Sequence, residues 1–196
     1  MARLIEILLE EHRNIEKLLR VLDQELEVFD RAGSPDYEVL QTIIEYFRDY
    51  PERYHHPKED IIFDMLRLRN PTVVATVGDI EAEHQLETKH LQRFAEAVEA
   101  ILAGEEHPRK ILHDAVRNFV DHQRQHMHRE EKLLFPAAVR VLRAKDWEEI
   151  DARLNSKNDP LFSESGKSKF DLLRQTVLRW ERENQANRPD RDQAQN

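Results

Sequence analysis

Glu11-His12 is followed 43 residues on by His55-x-x-x-Glu59, and Glu83-His84 is followed 42 residues on by His126-x-x-x-Glu130. A histidine and a carboxylate four apart on a helix stand one turn above each other on one face, where both can grip the same ion or two neighbouring ions. The repeat therefore supplies four imidazoles and two carboxylates. That is more than one tetrahedral ion requires, and it suits two ions bridged by Glu59 and Glu130. The chain has no cysteine, which excludes thiolate-ligated clusters, zinc fingers and thiol catalysis. A mixed nitrogen and oxygen donor set favours two iron ions, with manganese or zinc as the alternatives.

The turn signals between these residues explain how they could meet. The midpoint between His12 and His55 falls on Gly33-Ser34-Pro35, that between His55 and His84 on Asn70-Pro71, and that between His84 and His126 beside Gly104. With a rise of about 1.5 Å per helical residue, hairpins at these points return each histidine to the height of its predecessor. The implied frame is all-α: a four-helix bundle with an additional C-terminal helix.

Apolar stripes with spacings of three and four support that frame. A first helix over 2–30 carries Ile5, Leu8, His12, Ile15, Leu19, Leu22 and Leu26 on one face, and a second over 36–69 carries Leu40, Ile44, Phe47, His55, Glu59, Ile62 and Leu66. Pro51 and Pro57 should bend or locally open the second helix, because each removes an amide donor. A third helix is predicted over 72–103, closed by Gly104, and a fourth from Pro108 to about Ala144, kinked near Pro136. Residues 1–146 are thus expected to form the bundle. Residues 147–196 are expected to comprise a linker, a helix over 167–184 lined by Phe170, Leu173, Val177 and Trp180, and a disordered tail. That last helix would dock on the bundle or form a homodimer with a second copy.

Two further histidines compete for roles at the site. His56 lies three before Glu59, although the repeat favours His55, and His122 lies one turn before His126, where it suits orientation of a ligand or ring packing. His90, His107, His113 and His128 read as solvated or cap-related. A lone histidine on an apolar face is usually a hydrogen-bonded core residue, but six polar side chains buried at one level without partners would cost roughly 2 to 7 kcal/mol each. A domain is stable by only about 5 to 15 kcal/mol. No catalytic residue is singled out.

The formal charge of −9 argues against nucleic acid as a partner, since phosphate binding calls for a basic face. No stretch approaches the roughly 18 to 20 apolar residues that a membrane span requires, and the first residues lack a secretory cleavage pattern. Cytoplasmic residence is the expectation.

The runs Glu11-His12, His55-His56-Pro57-Lys58-Glu59-Asp60, Glu83-His84 and His126-Met127-His128-Arg129-Glu130-Glu131 resemble the hemerythrin-like HHE cation-binding domain. The resemblance spans about residues 4–144. It implies an up-down-up-down bundle with a non-haem di-iron site, in which His12, His55, His84 and His126 would be terminal ligands and Glu59 and Glu130 would bridge. Oxygen-carrying relatives use a fifth histidine one turn after the third-helix ligand, where this chain has Thr88. Reversible oxygen carriage is therefore disfavoured. The resemblance points instead to binding, sensing or detoxifying a small oxidant or diatomic gas (dioxygen, nitric oxide or peroxide), or to handling labile iron, rather than to a dedicated enzyme.

Two other readings stay open. Glu52-x-x-His55 and Glu81-x-x-His84 match locally the pattern of a ferritin-like iron oxidase, although both fall on adjacent helices and the fourth-helix stripe offers Phe119 and Gln123 where a carboxylate is needed. A metal-free structural or interaction bundle with satisfied histidines is the other.

Overall fold

The computed structural model describes residues 3–105, 109–154 and 171–186. Its architecture is an up-down-up-down four-helix bundle with an extra C-terminal helix. The first rod is α1 (Arg3–Asp30). The second is α2 (Tyr37–Tyr50), a π-helical turn over Pro51–His55 and α3 (His56–Arg69). After a short α4 (Pro71–Val77) comes the third rod, α5 (Ile80–Leu102). The fourth is α6 (Arg109–Arg129), a second π-helical turn over Glu130–Leu134 and α7 (Phe135–Val141). Finally α8 (Ala144–Arg153) packs on α3, and α9 (Asp171–Ala186) packs on α1 and α2.

Local chemistry sets the breaks. Asp36 caps α2 by accepting from the amides of Glu38 and Val39, which satisfies donors that have no partner within the helix. The third rod starts later than the periodicity predicts. Asn70 caps α4 and Asp79 caps α5, while Gly78 between them has φ +101°, a conformation that breaks a helix and suits glycine. Val77 therefore belongs to α4, where it is buried. The fourth rod ends at Val141 rather than near Ala144, because Leu142 and Arg143 turn extended and lead into α8, a helix the apolar pattern does not announce.

Both predicted proline distortions are present, as π-turns. The His56 amide donates to the Pro51 carbonyl, and the Phe135 amide donates to the Glu130 carbonyl. Pro57 and Pro136 each sit in the first turn of the helix that follows, where a missing N–H costs little. Each π-turn inserts one residue into the helical count. It thereby rotates the downstream half of the rod and allows consecutive residues to serve the interior.

Two apolar clusters flank the histidine level. One runs from Ile15 to Phe29 on α1 and includes Phe47, Tyr50, Phe94, Phe119 and Val120. The other holds Leu4, Leu8, Ile62, Leu66, Ile80, Leu134 and Ala138. Each buried aliphatic or aromatic side chain stabilises by about 1.5 to 3 kcal/mol, so the polar layer is clamped between two well-packed slabs. Leu173 and Val177 of α9 join the first cluster, and α9 thus docks on its own chain's bundle. Residues 147–153 of the predicted linker are instead helical, in α8, and the rest of the linker after residue 154, with His107, Pro108, Phe170 and the predicted tail, lies outside the described residues. Among the described residues no helix is long and apolar enough to cross a membrane.

Candidate metal centre

His12, His55, His84, His126, Glu59 and Glu130 converge between the two apolar slabs, all buried. His12 comes from α1, His84 from α5 and His126 from α6. His55 ends the first π-turn, Glu59 sits one turn on in α3, and Glu130 opens the second π-turn. The two carboxylates are completely buried.

Each carboxylate turns one oxygen to either side. Glu59 Oε1 lies 3.4 Å from His12 Nε2 and 3.2 Å from His55 Nε2, while its Oε2 lies 3.6 Å from His84 Nε2. Glu130 Oε2 lies 3.4 Å from His12 Nε2, while its Oε1 lies 3.2 Å from His126 Nε2. The donors fall into two groups: His12, His55, Glu59 and Glu130, and His56, Glu59, His84 and His126. Within each group one donor atom per residue lies within 4.8 Å of the others.

His56 is therefore gathered with His55 rather than instead of it. Its ring stacks on His84 with centroids 3.8 Å apart. It is also reversed relative to its neighbours: Nε2 faces Glu87 Oε2 at 3.2 Å, and Nδ1 is buried without a hydrogen-bond partner. Thr88 points away from the centre. Its hydroxyl meets Glu52 Oε1 and the His84 carbonyl, both at 3.1 Å.

A ring of outer groups fixes the imidazoles. His55 Nδ1 donates to Glu11 (2.9 Å), and His126 Nδ1 donates to Glu83 (3.0 Å). Lys58 braces Glu11, and Arg129 braces Glu83. His12 Nδ1 donates to Glu131 at 3.0 Å, and His84 Nδ1 faces Asp60 at 3.7 Å. Because a carboxylate only accepts, the hydrogen sits on Nδ1 of His12, His55 and His126, which leaves Nε2 of the neutral ring free for a cation. The structure brings together the six residues singled out from the sequence and gathers His56 with them, while the sequence assigned no role to Glu11, Glu83, Lys58, Arg129, Asp60, Glu131 or Glu87. The duplicated signal was present for most of them: each half reads Glu-His, then His-x-x-[Lys or Arg]-Glu-[Asp or Glu].

The electrostatics are those of a site charged from both sides. Burial alone would raise the Glu59 carboxyl, yet the surrounding His55, His12 and His84 hold it well below the ordinary carboxylate value. Burial opposes the charged form of His12 too, but the neighbouring carboxylates of Glu130, Glu131 and Glu59 lift it well above the ordinary imidazole value. Glu87 is brought down to about 2, against its burial, by His56.

The inward atoms remain unsatisfied by protein. Nε2 of His12, His84 and His126, Nδ1 of His56 and all four oxygens of Glu59 and Glu130 are buried without hydrogen-bond partners. Leaving such an atom unmet costs about 1 to 3 kcal/mol, so the donor set fits a cation. His122 stands outside both groups. Its Nε2 donates to the Glu83 carbonyl at 3.2 Å, and its ring lies parallel to that of His126 at 6.3 Å. The ferritin-like pattern does not assemble, because Glu52 and Glu81 are both exposed.

A cavity of about 450 Å³ between α1, α6 and α9 lies beside the centre, with His12, Lys17, Arg124, Met127, Glu131 and Trp180 in its wall.

No curated protein and no solved structure matches the chain. Residues 3–138 match the family model described as the hemerythrin HHE cation binding domain. That span contains every residue of the two donor groups, and the chain belongs to this family of cation-binding helical domains.

Proposed function

We propose that this chain is a non-haem di-iron protein that binds a small oxidant or diatomic gas at the ion on its His12–His55 side. The observation that carries this reading is the disposition of Glu59 and Glu130, each with one oxygen toward His12 and the other toward His84 or His126. Carboxylates so placed suit a pair of ions better than one. His12 and His55 would hold the first ion, and His56, His84 and His126 the second, with both carboxylates shared.

Two ferrous ions, when bound, would supply open coordination positions and electrons for a small ligand. The protein's own residues do the rest. Glu11, Glu83 and Glu131 hold the imidazoles in the tautomer that presents Nε2, and the apolar slabs exclude bulk water. The His12–His55 side has two imidazoles against three on the other, and the cavity beside His12 lies on that same side. A small ligand entering beside His12 would thus reach the side with fewer imidazoles first. The cytoplasm is the compartment that suits a ferrous centre, because thiol buffers keep it reducing.

Metal content after anaerobic reconstitution with ferrous iron tests the reading. About two irons per chain are expected, with new near-ultraviolet and visible absorption on exposure to dioxygen or nitric oxide. A chain that retains no iron, or a loaded chain whose spectrum ignores both gases, would overturn it.

A further inference from the structure

His90 reads from sequence as an ordinary solvated histidine, yet it is not isolated. On α5 it faces His122 of α6 with ring centroids 5.1 Å apart and planes tilted by 36°. The pairs assigned to the two irons have nearly the same spacing, 5.1 Å for His12–His55 and 4.9 Å for His84–His126. Metal–imidazole bonds of about 2.0 to 2.1 Å place each ring centre about 3 Å from its ion, so two rings on adjacent corners of one ion stand roughly 5 Å apart. The His90–His122 pair has the separation of two imidazoles that share a cation.

The tautomer of His122 is also right. Its Nε2 is committed as donor to the Glu83 carbonyl, and the neutral ring therefore carries its lone pair on Nδ1. His90 is held below the ordinary imidazole value by partial burial and by the neighbouring His122 and Arg93, and so it is unprotonated near neutrality. It also lines, with Arg93, Glu96 and Asp114, a cavity of about 370 Å³ between α5 and α6.

We propose that His90 and His122 form a surface capture site for a divalent cation, which takes up ferrous iron from solvent and passes it inward beside His126 to the buried centre. This rests on the reading of the buried cluster as an iron centre. A hydrated ion cannot enter that cluster in one step, because stripping its water before ligands replace it is costly. Two half-exposed imidazoles begin the exchange at the surface. The next ring inward, His126, lies one helical turn along α6 from His122, parallel to it and 6.3 Å away, and it belongs to the buried group. The capture pair thus lies on the α5–α6 face, apart from the cavity beside His12 that serves the small ligand.

The test uses the full chain, stripped with chelator and titrated with cobalt(II) followed by its visible absorption. Wild type should bind two ions tightly and a third weakly. His90→Ala, at a half-exposed position, should lose the third ion, keep the two tight ones at equilibrium, and fill them roughly tenfold more slowly. His113→Ala, at another half-exposed histidine, which pairs with Asp30 and Asp114, should behave as wild type. Retention of the third ion by His90→Ala, or an unchanged filling rate, overturns the proposal. If wild type binds no cobalt, it is the reading of the buried centre that fails.

Discussion

Glu11 Oε2 lies 2.9 Å from His55 Nδ1, and Lys58 holds the other oxygen of the same carboxylate. The arrangement is duplicated by Glu83, His126 and Arg129. In both halves the glutamate immediately precedes one inner histidine in sequence while orienting another from a different helix. The Glu-His dipeptide is thus a single device: one residue faces the centre, and its neighbour steadies the ring across the interface.

Glu11→Gln and Glu83→Gln keep the shape of the side chain but remove its charge, and an amide can turn either its donor or its acceptor toward the ring. Each should weaken iron binding about 10- to 100-fold while leaving the far-ultraviolet circular dichroism unchanged. Competition with a graded series of chelators measures this. Unaltered affinity in both variants would show the outer carboxylates to be idle.

Loss of ligands should differ from loss of their neighbours. His126→Ala and Glu130→Ala are expected to cost at least one iron per chain, whereas His122→Ala should retain both at equilibrium, since His122 bonds the Glu83 carbonyl outside the two donor groups. His56→Ala should weaken the ion on its own side only. Metal analysis of each purified variant decides; an iron-free His122→Ala beside a loaded His126→Ala would mean that the α6 register is misassigned.

The pH response of the metal-free chain follows from its shifted groups. His12 and His56 are raised, so their stabilisation is complete below the ordinary imidazole value of 6.5 and is lost as pH rises through their folded values. Glu59 and Glu87 are lowered, so theirs is present above the ordinary carboxylate value of 4.5 and is lost as pH falls through their folded values. Thermal unfolding of the stripped protein should therefore peak between 4.5 and 6.5. Iron displaces the imidazole protons, and the Tm gap between loaded and stripped protein should widen as pH rises. A gap that narrows with rising pH would contradict the ligand assignment.

Truncation before residue 155 removes α9 and uncovers the apolar surface that Leu173 and Val177 bury. A loss of about 3 to 6 kcal/mol is expected from two such side chains, read by urea unfolding. Metal content should persist, since α9 contributes no member of either donor group. Iron should leave faster to a chelator, because Trp180 forms part of the cavity wall beside His12. An unchanged rate of release would exclude that cavity as the route.

The sequence alone determined the rods and the height at which they carry donors. Helical rise is constant, so equal spacings about turn residues such as Gly33-Ser34-Pro35 and Gly104 fix His12, His55, His84 and His126 at one level whatever the detailed packing. Rotation about each rod was not legible in the same way. A π-turn adds a residue to the count and shifts everything beyond it, which is how His55 and His56 both come to serve the centre and how Glu130 and Glu131 both come to face His12. The outer contacts depend on which helix lies opposite: Glu11 finds His55 44 residues away, and Thr88 turns outward to Glu52. Spacing within one helix records what that helix can present. Only the packed bundle decides what each presented group will meet.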